Sequence, residues 1–441
     1  MDLSDPGCIR HLIERSLARW RACETRGGAP GWGPRYTRIE QDARSARASR
    51  LLAQISRTLR HPPRSRQDYR EIRRQAEAEG LAFLDGVLGI DRGQSALLNG
   101  HGFGPVTRLF VREARRFDPA LTGEQIYQAV RNAWVIAALQ VLLGGRARFT
   151  PAVLGYSLLY PYTDNLLDDP RTSAEQKRSF NTRLGRRLED GRGEAAGDFE
   201  MRVHACVGMI ERTYPRRDHP QVRAALLAIH AAQIRSLRLH GRPGLASAEV
   251  LEISFEKGGA SVMADGSLAF GALTAAQAQS CFDYGAFLQL QDDLHDIAAD
   301  QSGGITTLFT QGAGNGPLDA LADHLARFGQ ETIAAMGGRA NPLHADMRAL
   351  MQRSAILLLQ QAAASSPERF SAAWLERLER HSPLSFEAWR RLTDEVREMS
   401  SRFRATWGEA RGMRPLAVSR VAQGVAALGR RAEEIKLTAG S

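Results

Sequence analysis

Apolar residues recur along this chain mainly at three- and four-residue steps, the period of one helix face. Alternating β-branched runs are few, and no Asn-Gly pair sits between two of them. The pattern predicts helices over 8–24, 39–60 and 65–88, where apolar positions are sparse and arginines frequent. Apolar density rises after Asp118. Further helices are predicted over 122–143, 151–169, 173–190, 194–213, 221–240 and 247–273, and from 274 through the stretch 287–307. The series continues over 317–336, 343–364, 367–381, 383–410 and 418–437. The expected organisation is all-α: an added N-terminal helical region, 1–118, and a single large helical bundle, 119–441.

Local signals place several helix ends. Thr122 with Gln125, and Thr274 with Gln277, have the spacing of capping boxes. Thr150-Pro151 and Ser382-Pro383 read as a cap followed by proline at the first helical position. Pro161 predicts a kink or break within 151–169. The segment Asn99 to Gly104 has glycine spacing but no following Lys-Ser/Thr, so it reads as a loop and not a phosphate cradle.

Composition narrows the function classes. The chain has 441 residues, 43% hydrophobic and 24% charged, as in globular proteins. It carries a formal charge of +10, almost all from arginine; its lysines are Lys177, Lys257 and Lys436. Such an excess suggests polyanions, phosphorylated substrates or membrane surfaces as partners; the basic residues are spread along the chain, with some clustering before residue 75, which argues against nucleic acid and for a phosphorylated small molecule. Cys8, Cys23, Cys206 and Cys281 show no paired spacing, so a reduced, cytoplasmic protein is expected. The longest apolar stretch, 134–143, contains Gln140 and is too short to span a bilayer, so no transmembrane segment is expected.

The stretch 287–307 changes the picture. Asp292, Asp293 and Asp296 end an apolar helical run, and Asp292, Asp296 and Asp300 share one face at four-residue steps. Like charges so spaced repel by a few tenths of a kcal/mol, yet no Lys or Arg occurs from Cys281 to Gln311. A divalent cation would offset the row. A second cluster has the same design: Asp164 with Asp168, and Asn165 with Asp169, again four apart at the end of an apolar helix. Both rows lie where the helix dipole disfavours anions. Two such helices facing each other would hold Mg²⁺, with phosphate oxygens and water completing each octahedron. Loss of a diphosphate group is the chemistry this suits, because the developing charge must be neutralised. Tyr156, Tyr160, Tyr162, Phe255, Phe270, Tyr284 and Phe287 flank the acids and would line a dry cavity.

These residues resemble the class I isoprenoid synthases, the trans-prenyltransferases and their terpene-cyclase relatives. Residues 288–296, LQLQDDLHD, resemble the family's second aspartate-rich motif, FQxxDDxxD, with Leu288 in the Phe position. Asp164-Asn165-Leu166-Leu167-Asp168 resembles the first, DDxxD, with Asn second. Lys257-Gly258-Gly259-Ala260 is similar to a stretch whose lysine binds diphosphate, and Gln233 resembles a family glutamine. The match covers roughly 151–307, with 150–310 as the motif-bearing core.

The resemblance implies an isoprenoid-synthase helical bundle with Mg²⁺ as cofactor and a prenyl diphosphate as substrate. It implies Asp164 and Asp168 as Mg²⁺ ligands supported by Asn165 and Asp169, and Asp292, Asp293 and Asp296 as the remaining ligands. Lys257 and Gln289 would bind diphosphate, and Arg235 and Arg238, one turn apart, would assist. It also allows a homodimer.

Departures from the pattern bear on the reaction. The arginine pair expected after the first motif is missing, with Arg171, Lys177 and Arg178 off register. Residues 144–148, GGRAR, lack the lysine of the isopentenyl-diphosphate motif and lie too close to Asp164. A terpene synthase is therefore favoured over a polyprenyl diphosphate synthase. A non-catalytic helical partner or polyanion scaffold is the contrasting class, but it would scatter its charges.

Overall fold

A computed structural model of the chain describes residues 6–24, 30–61, 63–99, 102–169, 171–241, 244–337 and 341–407; the helix expected over 418–437 lies outside them. The side chains of Tyr160 and Asp168 also lie outside the described set. Helices α1 (Pro6–Glu24), α2 (Arg38–Thr58), α3 (Arg66–Gly86), α4 (Arg92–Asn99) and α5 (Phe103–Phe117) come first. Then come α6 (Gly123–Gly144), α7 (Pro151–Asp168), α8 (Ala174–Glu189), α9 (Asp198–Thr213), α10 (Pro220–Ser236) and α11 (Ser247–Phe270). The series ends with α12 (Ala275–His295), α13 (Ile297–Ser302), α14 (Leu308–Ala313), α15 (Asp319–Ala335), α16 (Pro342–Ser365), α17 (Ala372–Glu379) and α18 (Phe386–Trp407). No strand forms among the described residues, and the protein is all-α.

Caps set most boundaries. Thr122 accepts from Gln125 N at 3.2 Å while Gln125 Oε1 accepts from Thr122 N at 2.9 Å. Thr274 and Gln277 repeat the exchange at 3.3 and 2.9 Å. Thr150 Oγ1 accepts from Val153 N, with Pro151 in the first turn. Two expectations change. Ser385, not Ser382, caps α18 by accepting from Ala388 N; Ser382 instead accepts from the Trp389 indole and donates to Leu384 O within the preceding turn. Pro161 does not break α7, which runs unbroken through it.

The chain divides into two compact units with interleaved segments. The first gathers Met1–Arg26, Ala96–Leu290 and Glu331–Arg348; the second gathers Gly27–Ser95, Gln291–Gln330 and Ala349–Ser441. None of the seams falls at 118/119, and one falls within α12.

In the first unit α7 packs on α6 and α9, and α11 packs on α6, α10 and α1. Two close crossings fix this arrangement. A Cβ on Gly155 of α7 would stand 2.4 Å from Cys206 O of α9. On α11 and α12, a Cβ on Gly258 would stand 2.3 Å from Gly285 O, and one on Gly285 would stand 2.0 Å from Gly258 O. Helix axes ordinarily lie 8–10 Å apart, kept so by side chains; glycine lets these backbones touch. Helix α1 is tied to α12 through buried Asp283, which accepts from Ser16 Oγ, from Arg19 Nη1 at 2.5 Å and from Gln279 Nε2 at 2.9 Å. Trp20 meets Phe255 edge to face at 6.1 Å.

The stretch 134–143 belongs to the longer α6, which is long and apolar enough to cross a membrane by length and composition. Most of it is buried inside the first unit, and Gln140 Oε1 accepts from Arg148 N at 2.7 Å. It serves as a core helix there.

In the second unit α2 packs on α3 and α18. Gln41 Nε2 donates to Glu379 O and Ser382 O, and Trp374 stacks on Phe370 with ring centres 4.7 Å apart.

The α11–α12 contact gives a direct test. Gly285→Ala forces the two backbones apart and should cost about 1–3 kcal/mol, seen as a fall of several degrees in the melting temperature. Gly123→Ala, where a Cβ meets nothing within 4 Å, should not lower it. Equal melting of the two variants would refute the close crossing.

Candidate functional site

The last turn of α7 carries the first acid cluster. Asp164 is half-buried; its Oδ1 accepts from Gln233 Nε2 of α10 at 3.0 Å and from Thr163 Oγ1 at 3.4 Å. Asn165 is exposed. Asp168 ends the helix. Asp169 lies just past it, and its carboxylate accepts from the Arg171 backbone at 2.9 Å and from the guanidinium at 3.0 Å on each oxygen. These side-chain and backbone hydrogen bonds from Arg171 hold the Asp169 carboxyl below its ordinary range. Asp164 and Asp169 therefore differ. An amide orients Asp164, whereas an arginine pairs with Asp169.

Helix α10 ends opposite a row of glutamates on α11. Glu249, Glu252 and Glu256 follow helical steps and share one face. Arg235 reaches Glu252 at 2.7 Å and also pairs with Glu256; Arg238 pairs with Glu249. Arg235 lines a cleft of about 300 Å³ with Ile9, Ile13 and Leu17 of α1. Both arginines are thus engaged with carboxylates in the first unit.

Lys257, the residue after Glu256, is half-buried. The glycine crossing places α12 beside it: a Cβ on Gly258 would stand 2.6 Å from Gln289 Cβ. Gln289 is thereby brought against the residue next to Lys257, although 32 positions separate Lys257 and Gln289 in sequence. Tyr156 of α7 donates to Ser261 O, one turn further along α11, at 3.2 Å. Tyr162 donates to Asp118 at 2.6 Å, and its ring meets Phe199 edge to face. Phe255 is fully buried against Trp20. Tyr162 and Phe255 are core residues.

Within the second unit, the end of α12 carries the other cluster. Asp292 is exposed, Asp293 is 6% exposed, and the helix stops at His295. Asp296 opens α13 from a bend and is half-buried. The four-residue ladder continues through the bend: Asp296 N donates to Asp292 O at 2.9 Å and Asp300 N to Asp296 O at 2.8 Å. Asp300, at the end of that ladder, is buried. Gln291 Nε2 anchors the turn on Ala355 O at 2.8 Å.

Among the described residues no three His, Cys, Asp or Glu side chains converge closely enough to hold a metal by themselves. Mg²⁺ does not require three, since it binds through one or two carboxylates and keeps water and phosphate oxygens. Exposed Asp292 with half-buried Asp296, one turn apart, provides such a pair, so the donor set fits this ion.

Among the buried acids that sequence reasoning missed, Asp265 is the one with the fewest partners. Asp265 of α11 is 1% exposed; its Oδ1 accepts from Asn132 of α6 at 3.0 Å and its Oδ2 has no partner. Asn132 also donates to Ser157 of α7 at 3.2 Å. The available signal was an acid inside the otherwise apolar and small run GGASVMADGSLAF.

No protein-family model matches the chain, and no curated protein matches it. Solved structures similar to it include a geranylgeranyl pyrophosphate synthetase from the archaeon Geoglobus acetivorans, at 12% identity and a TM-score of 0.31, covering 81% of this chain and 100% of that one. Another is a geranylgeranyl pyrophosphate synthetase from Pyrococcus horikoshii Ot3, at 12% identity and a TM-score of 0.30, covering 87% and 99%.

Burial lifts the Asp265 carboxyl well above its ordinary 3.8, with only the Asn132 hydrogen bond opposing. The folded state therefore holds its proton more tightly than the unfolded state does. Its contribution to stability is intact below the unfolded value and is lost as pH rises through the raised one. Asp265→Asn cannot ionise, so its melting temperature relative to wild type should rise by a few degrees from pH 5 to pH 8. A difference that stays constant with pH would refute the assignment.

Proposed function

We propose that this chain is a class I isoprenoid synthase that binds an allylic prenyl diphosphate and expels diphosphate. The observation that carries this reading is that both acid rows occupy the last turn of an α-helix, Asp164 and Asp168 on α7 and Asp292 and Asp293 on α12. Helix ends of this polarity disfavour carboxylates unless a cation joins them. The proposed ligands are Asp164, Asp168, Asp292, Asp293 and Asp296, with Asn165 in support. Mg²⁺ bound there would supply electrophilic pull on the leaving diphosphate.

The protein's own groups complete the proposal. Lys257, a compact charge with three donors, would bind diphosphate oxygens, with Gln289 donating beside it. Gln233 would hold Asp164 in place. The ion pairs of Arg235 and Arg238 with α11 glutamates support a bracing role between α10 and α11 more than a phosphate-binding one. The pairing of Asp169 with exposed Arg171 supports a lesser part for Asp169 among the ligands. Buried, unbridged Cys8, Cys23, Cys206 and Cys281 support a reducing, cytoplasmic setting.

The finer reading is a terpene synthase, because one lysine and two acid rows are enough to ionise an allylic diphosphate without a second substrate. Condensation with isopentenyl diphosphate is the competing reaction. The test incubates purified protein and Mg²⁺ with allylic diphosphates of several lengths, with and without isopentenyl diphosphate. A hydrocarbon or alcohol from the allylic substrate alone supports the terpene synthase; a longer diphosphate made only with isopentenyl diphosphate supports the prenyltransferase. Asp292→Ala, Asp164→Ala and Lys257→Ala should each slow diphosphate release about 100-fold or more, and Arg235→Gln only a few-fold. Release that survives the Asp164→Ala and Asp292→Ala double substitution would overturn the catalytic proposal.

A further inference from the structure

Helices α1 and α10 both pack on α11, and a cleft of about 300 Å³ opens among the three, wholly within the first unit. Its walls are apolar. Ile9, Ile13 and Leu17 of α1 line one side, and Ala228 and Ala231 of α10 line the other. The α1 positions step by four and the α10 positions by three, so each set shares one helix face. Ile13 is buried, Ile9 and Leu17 are half-buried, and Ala231 is exposed. The short alanine side chains leave the cleft open along α10.

The charged lining is not neutral. Among the described residues, Arg10 and Arg235 stand against Glu14, Glu252 and Glu256, two positive charges to three negative. Arg10 and Glu14 are exposed and pair with each other at 3.3 Å. Arg235 is shared between Glu252, at 2.7 Å, and Glu256. One guanidinium thus offsets one of two carboxylates. It holds Glu252 by Oε1 and Glu256 by Oε2, so Glu252 Oε2 and Glu256 Oε1 lie outside these pairs. The Glu252 and Glu256 side chains are 30% and 15% exposed, so the surplus negative charge is screened less than it would be on open surface.

The cleft is separate from the groups proposed for catalysis. Gln233, which donates to Asp164, precedes Arg235 by two residues and so lies about 200° away around α10. Lys257 follows Glu256 and lies about 100° from it around α11. A diphosphate entering the cleft would meet surplus negative charge. The lining complements the opposite kind of molecule, an apolar body with one positive charge. Its half-buried aliphatic walls favour burial of hydrocarbon, and its unmatched carboxylate favours a charged donor. An ammonium offers three donors, enough to reach both carboxylate oxygens that Arg235 leaves.

We propose that the cleft between α1 and α10 binds a small organic monocation of the alkylamine class, with its ammonium on Glu252 and Glu256 and its apolar body along Ile9, Ile13 and Leu17. The site uses neither Mg²⁺ nor either acid row and is independent of the catalytic proposal.

The test titrates hexylammonium chloride into the full chain by calorimetry, at neutral pH and constant ionic strength with EDTA present, beside hexanoate and hexanol of the same body. Wild type should bind hexylammonium saturably, hexanol more weakly and hexanoate not at all. From butylammonium to hexylammonium the affinity should rise by up to about fourfold per methylene. Glu252→Gln should weaken hexylammonium binding about tenfold. Arg235→Gln, which leaves both glutamates unopposed, should tighten it. Ala231→Trp, at an exposed position, should fill the cleft and abolish binding while the melting temperature stays near that of wild type. No binding by wild type, equal binding of hexanoate, or undiminished binding by Glu252→Gln or by Ala231→Trp would overturn the proposal. Binding that is lost in Asp164→Ala but kept in Ala231→Trp would place the cation at the acid rows and overturn it as well.

Discussion

The contact between Gly258 on α11 and Gly285 on α12 sets how closely these two helices of the first unit approach. Two helix backbones meet there with no side chain between them, and Gly259 packs directly against the Phe282 ring. Packing without side chains leaves no slack, because interiors are dense and tolerate little added volume. Lys257 precedes the contact by one residue, and Gln289 follows it by one turn. The crossing therefore fixes where a positive charge and a neutral amide stand relative to each other. The apolar faces of α11 hold it against α6, α10 and α1, but the glycines decide how closely α12 approaches.

Charge is distributed unevenly around this frame. The first unit spends its arginines on carboxylates: Arg235 and Arg238 on the α11 glutamates, and Arg183, for example, on Glu200 at 2.8 Å. Asp164 is treated differently. It accepts from Gln233, a neutral donor that orients its carboxylate, while Asp169, five residues on, is held by Arg171.

Much of the helical order was legible because it is local. Capping boxes at Thr122 and Thr274, the cap at Thr150 and three- to four-residue periodicity need only a few neighbouring residues. The acid rows were legible for the same reason: i and i+4 share a face wherever a helix forms. What was not legible depends on residues far apart in the chain. Ser16 meets Asp283 across 267 positions and Arg353 meets Leu88 across 265, and no periodicity encodes either. The interleaved units follow from such pairings. Ser382-Pro383 misled because the pattern is sound locally, while Trp389 claims the Ser382 hydroxyl from one turn into the helix.

Two buried acids of the first unit show what the N-terminal helix contributes. Asp265 and Asp283 are both buried, and burial raises the carboxyl pKa of each. Asp265 has one hydrogen-bonding partner, Asn132, and tends to the protonated state. Asp283 has three donors, and two of them, Ser16 and Arg19, come from α1. Without α1, Asp283 would keep only Gln279, and α12 would carry a buried carboxylate with neither cation nor hydroxyl. Removing one partner of such a group costs more than the pair contributes, because the other is left buried and unsatisfied. Helix α1 is therefore part of the first unit's interior and not an appendage to it. Its ion pair bears on the same helix that presents Gln289, so the N-terminal residues and the proposed diphosphate-binding groups are coupled through α12.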